Sequence, residues 1–368
     1  MLFRPSGVGY VISSDGMLHV VGLPSGKDIQ RPAPFLPANA RWSSPIAVGT
    51  TLYAATVGNC GGAPPAVWAI DLDSDAKAAV SWKTNGGPVV GAVAFTSDNT
   101  LIAAIGSGQA SGDGKSNAIV ALDSKTLQVK DWFTQPATEF VTGPTIVEQN
   151  GKQVVAAATK DGRVVLLDAA SLGGANHSTP LAVSKPFLSK GATLSADALA
   201  AWRQSTTSGP QPPASGGAPA PASATGPTWI LVPVAGGVAT GLSTTNGPVS
   251  SGAVIALKLS DTAGALSLEP GWVSHNLSAP GTPLIVNGVV FTLATGAPLT
   301  ASGRGTQAIV HAYDGATGNR LWNSGTAMTS FASPGSFWSN GGQVYVGTQD
   351  GTLHAFGFND ERRSTSTQ

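Results

Sequence analysis

The residues of this chain best suited to catalysis or metal binding are its five histidines. Three of them occupy one place in a repeated strand pattern, as Leu18-His19-Val20, Val310-His311-Ala312 and Leu353-His354-Ala355. Equivalent positions of different repeats point to different places, so these imidazoles cannot converge on one metal ion away from a shared axis. His177 and His275 lie in connecting segments and follow no pattern. We therefore predict that the three patterned histidines pack structurally, and we predict neither a metal site nor a catalytic residue.

A glycine-rich segment from Gly106 to Ser116 imitates a phosphate-binding loop. A Walker A loop has four residues between its first Gly and Gly-Lys-Ser, whereas five follow Gly108 here. The next apolar run, residues 118–123, is typical of a strand, and a phosphate loop needs a helix N-terminus. The segment therefore predicts a hairpin loop. The single cysteine, Cys60, excludes an internal disulfide and a thiolate metal cluster, and its glycine-rich surroundings predict an exposed thiol.

The bulk composition narrows the class of protein. The 368 residues include 47 Gly and 26 Pro, only 11% are charged, and the positive and negative charges cancel. A chain with zero net charge and no basic run lacks the electrostatic footprint of a nucleic-acid-binding protein. No apolar run is long enough to predict a membrane span, and the first residues lack the pattern of a signal peptide. The one candidate helix is residues 196–203, so we predict an all-β fold.

Copies of one strand–turn–strand pattern indicate a repeat architecture. Residues 10–21 align without gaps on residues 345–356, and six of the twelve positions are identical; a weaker copy spans residues 155–166. Each copy has an Asp-Gly pair between two apolar runs, which is a strong hairpin signal because Gly accepts the positive φ of a tight turn. Hairpins that recur in units of about 40–50 residues predict the blades of a β-propeller.

Two further marks divide the chain into units. A small residue followed by Pro opens the first strand of a unit, since Pro is tolerated at the start of a strand. An Asp, a turn and a Trp close the unit, most clearly between Ala312 and Trp322. Together these marks predict seven units of about four strands each, in a single domain over residues 1–358. The units span residues 8–37, 42–82, 88–132, 142–184, 186–275, 280–322 and 331–358.

The fifth unit and the two end units depart from this pattern. A Pro/Ala/Gly-rich insertion at residues 205–228 cannot bury apolar surface and predicts a disordered loop. Residues 359–368 predict a flexible tail. The first unit lacks its opening strand, and the last lacks its closing Trp strand. Two explanations stay open: residues 1–4 supply the missing edge strand of the last blade, or Met1 is internal to a longer protein.

The segment from Ala312 to Trp322 resembles the tryptophan-docking motif Ala-x-Asp-x-x-x-Gly-x-x-x-Trp of the pyrroloquinoline quinone (PQQ) propeller repeat. The resemblance implies a PQQ-like β-propeller in which the closing Trp of one blade packs against a neighbouring blade. For the best-matched unit it implies that the Trp322 indole is buried and that its N–H is bonded to the neighbour. The residues to which it gives a blade-docking role are Trp82, Trp132, Asp314, Gly318 and Trp322.

The superfamily that this motif resembles contains both quinoprotein dehydrogenases and non-catalytic assembly scaffolds. The dehydrogenases are similar to one another in having eight blades, commonly a vicinal Cys-Cys pair, and a Glu/Asn/Asp set that holds calcium, whereas this chain has seven units and one Cys. We therefore expect a non-catalytic binding or assembly scaffold, periplasmic or extracellular as the family usually is, and monomeric. The alternative is the propeller part of a PQQ-dependent alcohol or sugar dehydrogenase, incomplete at its N-terminus, with PQQ and calcium bound.

We expect a ligand of such a scaffold at the mouth of the central channel, where propellers collect ligands. The ligand is predicted to be a protein or a small molecule, not nucleic acid. The candidates are residues that precede or begin innermost strands. They are Arg41, Trp42, Glu139, Thr282 and Phe331.

Overall fold

The computed structural model describes residues 2–4, 7–23, 25–58, 60–135, 139–205, 225–244, 246–298, 305–340 and 342–357. These residues form 29 β-strands and two short 3-10 turns, Cys60–Gly62 and Gly174–Asn176. The strands belong to seven antiparallel sheets, so the predicted all-β fold with seven blades is confirmed. The chain divides into two compact units, Met1–Lys185 and Pro186–Gln368.

The first unit holds sheets 1 to 4, and the first four strands of each are hydrogen-bonded neighbours in chain order. Sheet 1 consists of β1 (Leu2–Arg4), β2 (Val8–Ile12), β3 (Met17–Gly22), β4 (Lys27–Asp28) and β5 (Ala33–Pro34), and its fifth strand pairs with β3 rather than with β4. Sheet 2 consists of β6 (Ile46–Val48), β7 (Thr51–Thr56), β8 (Ala66–Asp71) and β9 (Val80–Lys83). Sheet 3 consists of β10 (Val89–Phe95), β11 (Thr100–Ile105), β12 (Ala118–Asp123) and β13 (Val129–Thr134). Sheet 4 consists of β14 (Thr145–Gln149), β15 (Lys152–Thr159), β16 (Arg163–Asp168) and β17 (Ala182–Val183).

The second unit holds sheets 5 to 7. Sheet 5 consists of β18 (Thr193–Leu194), β19 (Ala200–Ser205), β20 (Thr225–Ala235), β21 (Gly252–Thr262) and β22 (Ala265–Val273), with both β18 and β19 paired to β20. Sheet 6 consists of β23 (Leu284–Val286), β24 (Val289–Ala294), β25 (Ile309–Asp314) and β26 (Arg320–Asn323). Sheet 7 consists of β27 (Ala332–Asn340), β28 (Gln343–Thr348) and β29 (Leu353–Phe356).

Strand β1 belongs to the first sheet. Leu2 pairs with Tyr10 and Arg4 pairs with Val8, so β1 and β2 form a local hairpin. Closing so short a loop costs little chain entropy. The prediction that residues 1–4 supply the edge strand of the last blade is therefore wrong for residues 2–4, the part that the structure describes.

Residues 196–203 do not form the predicted helix. Strand β19 begins at Ala200, and it pairs with β20 through Ala200↔Leu231 and Trp202↔Trp229. Ala200 and Trp202 pack into one apolar cluster with Trp229. Burial of alternate residues is the period of a strand, whereas a helix buries residues three or four apart.

The predicted disordered insertion and tail lie largely outside the described residues. The structure does not describe residues 206–224, and the two ends of the predicted insertion belong to strands β19 and β20. The predicted boundaries of 205 and 228 therefore enclose strand residues. The predicted tail, residues 359–368, lies outside the described part of the chain.

The Asp-Gly turns have the local structure that their sequence predicts. Gly16 and Gly351 have φ of 82° and 81°. The Asp350 carboxylate accepts the Thr352 N–H at 3.2 Å and the Thr348 hydroxyl at 2.6 Å. These hydrogen bonds to the charged form lower the pKa of Asp350 to about 2, with the Thr348 hydroxyl as the largest cause. The carboxylate thus holds its own turn together.

The apolar core lies between adjacent sheets of each unit. In the first unit it fills the spaces between sheets 1 and 2, 2 and 3, and 3 and 4. In the second unit it fills those between sheets 5 and 6 and between sheets 6 and 7. All six residues of β11 are buried, as expected for a strand covered on both faces. The strand ends, the outer strands and the loops are therefore the parts that a ligand can reach.

Candidate functional site

A tight turn in sheet 6 receives a tryptophan from sheet 5. The Asp314 carboxylate accepts the backbone N–H groups of Ala316 and Thr317 at 3.1 and 2.8 Å. Trp272 of β22 is 3% exposed, and its indole N–H donates to the carbonyl oxygen of Gly315 at 2.9 Å. We call this contact between two sheets a joint. The turn that follows Asp314 accepts the hydrogen bond, and the Trp of the preceding sheet donates it.

Gly318 lets the indole approach the turn. Its φ is 74°, and a Cβ there would lie 2.6 Å from Cγ and Cδ2 of Trp272. A second tryptophan, Trp202, lies close to the same turn, because a Cβ on Gly315 would lie 2.6 Å from its Cζ2. A side chain at either glycine would force two blades apart. The sequence pattern predicted a helix at Trp202 and therefore no role for this residue between two blades.

The expectation that Trp322 is buried is wrong. Its side chain is 42% exposed, and its ring lies beside that of Phe356 with centroids 5.4 Å apart. The joint at Trp272 explains the difference, since Trp272 docks on the turn after the third strand of the next sheet. For Trp322 that turn would follow β29, where residues 358–368 lie outside the described part.

The corresponding joint between sheets 2 and 3 has a leucine where sheet 6 has Gly318. The N–H of Leu127 donates to the Asp123 carbonyl at 2.8 Å, just as the N–H of Gly318 donates to the Asp314 carbonyl at 2.8 Å. Leu127 has φ of 55° and is 2% exposed. Its side chain belongs to the cluster against which Trp82 packs. Trp82 therefore cannot dock on this turn as Trp272 does, and it stays partly exposed.

A groove of about 540 Å³ lies between the outer strands of sheets 2 and 3, and we call it the Trp82 groove. Trp82 and Trp132 line it together with Lys115 and Asp113. The Lys115 ammonium lies 4.8 Å from the centroid of the Trp132 ring and donates to the carbonyl oxygen of Asp113 at 2.7 Å. The groove combines indole surface with a cation, a carboxylate and an amide. The remaining lining residues are Ser81, Lys83, Asn85 and Val129.

The loop between β11 and β12 positions Lys115. These strands pair as a hairpin, so the prediction of a hairpin loop over Gly106–Ser116 is confirmed. The Lys115 N–H donates to the Thr84 carbonyl at 2.8 Å, and the Gly87 N–H donates to the Lys115 carbonyl at 2.9 Å. A Cβ on Gly87 would lie 2.0 Å from the Gly106 carbonyl oxygen. The glycines therefore serve close backbone packing, which fixes the loop on the connection between sheets 2 and 3.

Trp132 is held in place by His177. Their rings stack with centroids 4.0 Å apart and an interplanar angle of 16°. Nδ1 of His177 lies 2.9 Å from Oδ1 of Asp131 and 3.0 Å from the carbonyl oxygen of Trp132. No sequence pattern singles out His177, because only the fold returns its loop to β13. The indole is thereby ordered before any ligand arrives, which lowers the entropic cost of binding.

The predicted channel-mouth residues divide between the two units. The carbonyl oxygens of Arg41, Glu139 and Phe331 each accept an N–H from the residue that follows the second strand of their sheet. These three residues are therefore structural equivalents. Trp42 lies one position further, where its equivalent in sheet 4 is Phe140. Thr282 differs from all of these, because its hydroxyl donates to the Ala198 carbonyl at 3.3 Å.

The side chains of two further mouth candidates, Glu139 and Trp42, have local partners. Glu139 forms an ion pair with Lys160, with Oε2 and Nζ 2.9 Å apart. Trp42 packs against the apolar layer of sheets 1 and 2, and the equivalent Phe140 is 1% exposed. That the five candidates share one ligand site stays a prediction.

A buried polar cluster in sheets 5 and 6 involves two histidines. The Tyr313 hydroxyl and Nδ1 of His275 share a hydrogen bond, and the His275 ring meets that of His311 edge-on at 4.6 Å. Burial lowers the pKa of His311 to about 3 and also lowers that of His275. His311 therefore packs as the neutral imidazole. Its Nδ1 and the hydroxyl of the facing Thr292 have no hydrogen-bond partner among the described residues.

Comparison with solved structures places the chain in a fold class. The chain is similar to Sqt1 of Saccharomyces cerevisiae with a TM-score of 0.55 and 12% identity, over 95% of this chain and 81% of that one. It is also similar to the dihydro-heme d1 dehydrogenase NirN with a TM-score of 0.50 and 13% identity, over 95% of this chain and 59% of that one. Likeness at such identities shows the fold alone. The protein is a seven-bladed β-propeller.

Sequence comparison does not narrow the class further. No protein-family model matches the chain, and no curated protein matches its sequence. Among the described residues, no helix is long and apolar enough to cross a membrane.

The resemblance to PQQ repeats would imply a quinone that binds beside a calcium ion. Calcium takes six to eight oxygen ligands. In the described part of the chain, no three His, Cys, Asp or Glu side chains come together as a metal-binding set. Turn carboxylates such as Asp98 and Asp350 are engaged by hydrogen bonds within their own turns. The described residues thus show no cluster of carboxylates for that calcium ion, and we derive no chemistry from the quinone.

Proposed function

We propose that this propeller is a non-catalytic binding scaffold that works outside the cytoplasm and takes a carbohydrate ligand in the Trp82 groove. The observation that carries the proposal is the lining of that groove, where Trp82 and Trp132 stand beside Lys115 and Asp113. Ligand sites in proteins combine apolar and aromatic surface with a few polar groups that fix orientation.

The chemistry of the groove matches that of a sugar. One face of a pyranose ring presents C–H groups, and the partly exposed indole of Trp82 offers an apolar surface for them. Sugar hydroxyls both donate and accept hydrogen bonds. The Asp113 carboxylate accepts, the Lys115 ammonium donates, and the Asn85 amide does both. Lining groups of both signs favour a neutral, hydroxyl-rich ligand over a strongly charged one.

Preformed geometry supports the same proposal. The hydrogen bonds from Lys115 to Thr84 and from Gly87 to Lys115 fix the loop that carries the polar groups. His177 stacks on Trp132 and fixes that indole. A site with few free rotors loses little conformational entropy when it is filled, so modest contacts suffice for measurable affinity.

A location outside the cytoplasm is proposed from the resemblance to PQQ-like repeats, a family that is usually exported. Fractionation of cells that express the intact gene, with protease treatment of whole cells, measures where the protein resides. Recovery in the periplasm or medium supports this part of the proposal. Retention with a cytoplasmic marker contradicts it and leaves the ligand proposal unaffected.

A glycan array tests the ligand. Labelled wild-type protein is applied beside Trp82→Ala, Asp113→Ala and the control Trp338→Ala, which removes a 42% exposed indole from sheet 7. Asp113 is exposed on a loop, so its replacement leaves the fold intact even where Trp82→Ala does not. Wild type and Trp338→Ala should bind the same subset of glycans, and the two groove variants should lose at least tenfold in signal. An array without any bound glycan, or binding that survives Asp113→Ala, overturns the proposal.

A further inference from the structure

The outer edge of the seventh sheet carries no further strand among the residues that the structure describes. Each of the other six sheets has an outer strand beyond its third strand, whereas in the described residues sheet 7 ends at β29. Strand β28 covers one side of β29 through four residue pairs. An open strand edge is a template for another chain.

The register of sheet 7 shows which backbone groups face outward. The N–H of Thr348 donates to the carbonyl of Thr352 at 2.9 Å. Hydrogen-bonded pairs alternate along an antiparallel ladder, so His354 and Phe356 bond to β28, and the N–H and C=O groups of Leu353 and Ala355 point away from it. The Leu353 side chain is 60% exposed. We call these outward groups, together with their strand, the β29 edge.

An apolar groove of about 280 Å³ lies beside the β29 edge. Trp322 and Phe356 form part of its wall, with ring centroids 5.4 Å apart. Leu321 and Trp322 are 56% and 42% exposed. Exposed side chains of this size beside an open strand mark an interaction surface. The other lining residues are Val289, Phe291, Ala312, Gly342 and Gly357.

We propose that an extended segment of a partner protein adds to β29 as an antiparallel fourth strand and places an aromatic or branched apolar side chain against Trp322 and Phe356. Strand addition takes its affinity from main-chain hydrogen bonds and its specificity from pockets for alternate side chains. The open edge and the apolar groove supply these two elements side by side.

The chain itself shows what chemistry the added strand needs. The outer strands of sheets 2, 3, 5 and 6 each carry a Trp, at positions 82, 132, 272 and 322. The sequence after Gly357 has one apolar residue, Phe358, and residues 359–368 are all polar or charged. Phe358 stands two positions after the end of β29, too close to return along it in an antiparallel fourth strand. Residues 359–368 offer no apolar side chain for the groove, which favours a partner segment as the occupant. This inference is independent of the carbohydrate proposal, because the two sites use different sheets and different residues.

A synthetic peptide with the sequence of residues 316–326, which includes β26, is the probe. Fluorescence anisotropy measures its binding to the full chain, and a control peptide carries Trp322→Ser. The protein variant Ala355→Pro removes one outward N–H and leaves the ladder to β28 intact, since Pro is accepted at a strand edge. We expect micromolar binding of the Trp peptide and at least tenfold loss with either change.

Amide hydrogen exchange gives a readout that does not depend on variants. The amides of Leu353 and Ala355 should exchange fast in the free chain and slow by at least tenfold with saturating peptide. Sedimentation should show a monomer throughout. Equal binding by Ala355→Pro, or no protection of these amides, overturns the proposal. Protection of these amides in the free chain would also overturn it, because this chain would then cover its own edge. A dimer that Ala355→Pro dissociates would overturn it as well, because the occupant would then be a second copy of the chain.

Discussion

The indole N–H of Trp272 donates a 2.9 Å hydrogen bond to the carbonyl oxygen of Gly315, and this contact joins sheet 5 to sheet 6. Asp314 shapes the accepting turn, and Gly318 leaves room for the ring. One blade thus supplies the side chain and the next supplies the turn. The motif recognised between Ala312 and Trp322 supplies the accepting turn of this joint, whereas its own Trp322 is 42% exposed.

Replacing Trp272 tests this joint. Trp272→Ala removes a side chain that is 3% exposed, and a buried Trp replaced by Ala typically costs about 3–5 kcal/mol through lost contacts and a cavity. Trp322→Ala, at 42% exposure, should cost less than about 1 kcal/mol. Urea unfolding of both variants measures the pair. Equal costs would show that Trp272 does not hold the blades together.

Gly318 should tolerate no side chain. Gly318→Ala places a Cβ 2.6 Å from the Trp272 ring at a φ of 74°, so strain and displacement of the indole should together cost about 2–4 kcal/mol. Gly351→Ala is the matched control, because its φ is 81° but nothing lies within 4 Å of the added Cβ. It should cost about 1 kcal/mol. If thermal unfolding shows the two variants to be alike, contact with Trp272 is not the reason for Gly318.

The turn at Asp350 should make stability depend on acid pH. The folded pKa of about 2 lies below the ordinary value of 3.8, so the unfolded chain binds the proton more readily. The contribution of this carboxylate to stability is complete above 3.8 and is lost as the pH falls towards 2. Asp350→Asn removes that contribution. Wild type should therefore lose more stability than Asp350→Asn between pH 5 and pH 2, measured by urea unfolding, whereas parallel curves would contradict the assignment.

The buried His311 should act in a different pH window. Its folded pKa of about 3 lies below the ordinary 6.5, chiefly through burial and then through the nearby His275 and Arg320. The unfolded chain protonates first, so stability is complete above pH 6.5 and declines as the pH falls from 6.5 towards 3. His311→Gln should flatten the decline between pH 6.5 and 4. An NMR titration in which the His311 ring of the folded protein protonates near pH 6 would exclude this account.

The repeat marks in the sequence were sufficient to predict the fold. Asp-Gly hairpins, small-residue–Pro starts and Asp-to-Trp closures are local signals, and the seven sheets follow the units that they define. The helix predicted at residues 196–203 failed because Ala200 and Trp202 meet Trp229 across β19 and β20. That strand pairing spans the insertion after residue 205, and no local pattern reveals a partner so far along the chain.

The candidate site was less accessible from sequence. Trp82 and Trp132 were recognised as closing residues, but the exposure of Trp82 depends on Leu127 taking the place that Gly318 has in sheet 6. His177 reaches Trp132 only through a long loop. The direction of docking, from Trp272 to the turn of the following sheet, depends on how the two sheets pack, and a local sequence pattern does not show that packing. For that reason the burial expected of Trp322 belongs to Trp272.

Calorimetric titration of the strongest array glycan into purified variants tests the central claim most directly. The set is wild type, Asp113→Ala, Lys115→Met and the control Trp338→Ala, each first shown to unfold cooperatively. The account predicts equal Kd for wild type and Trp338→Ala, and a Kd at least tenfold weaker for Asp113→Ala and Lys115→Met. Equal affinity in all four proteins would place the ligand elsewhere and contradict the assignment of the Trp82 groove as the binding site.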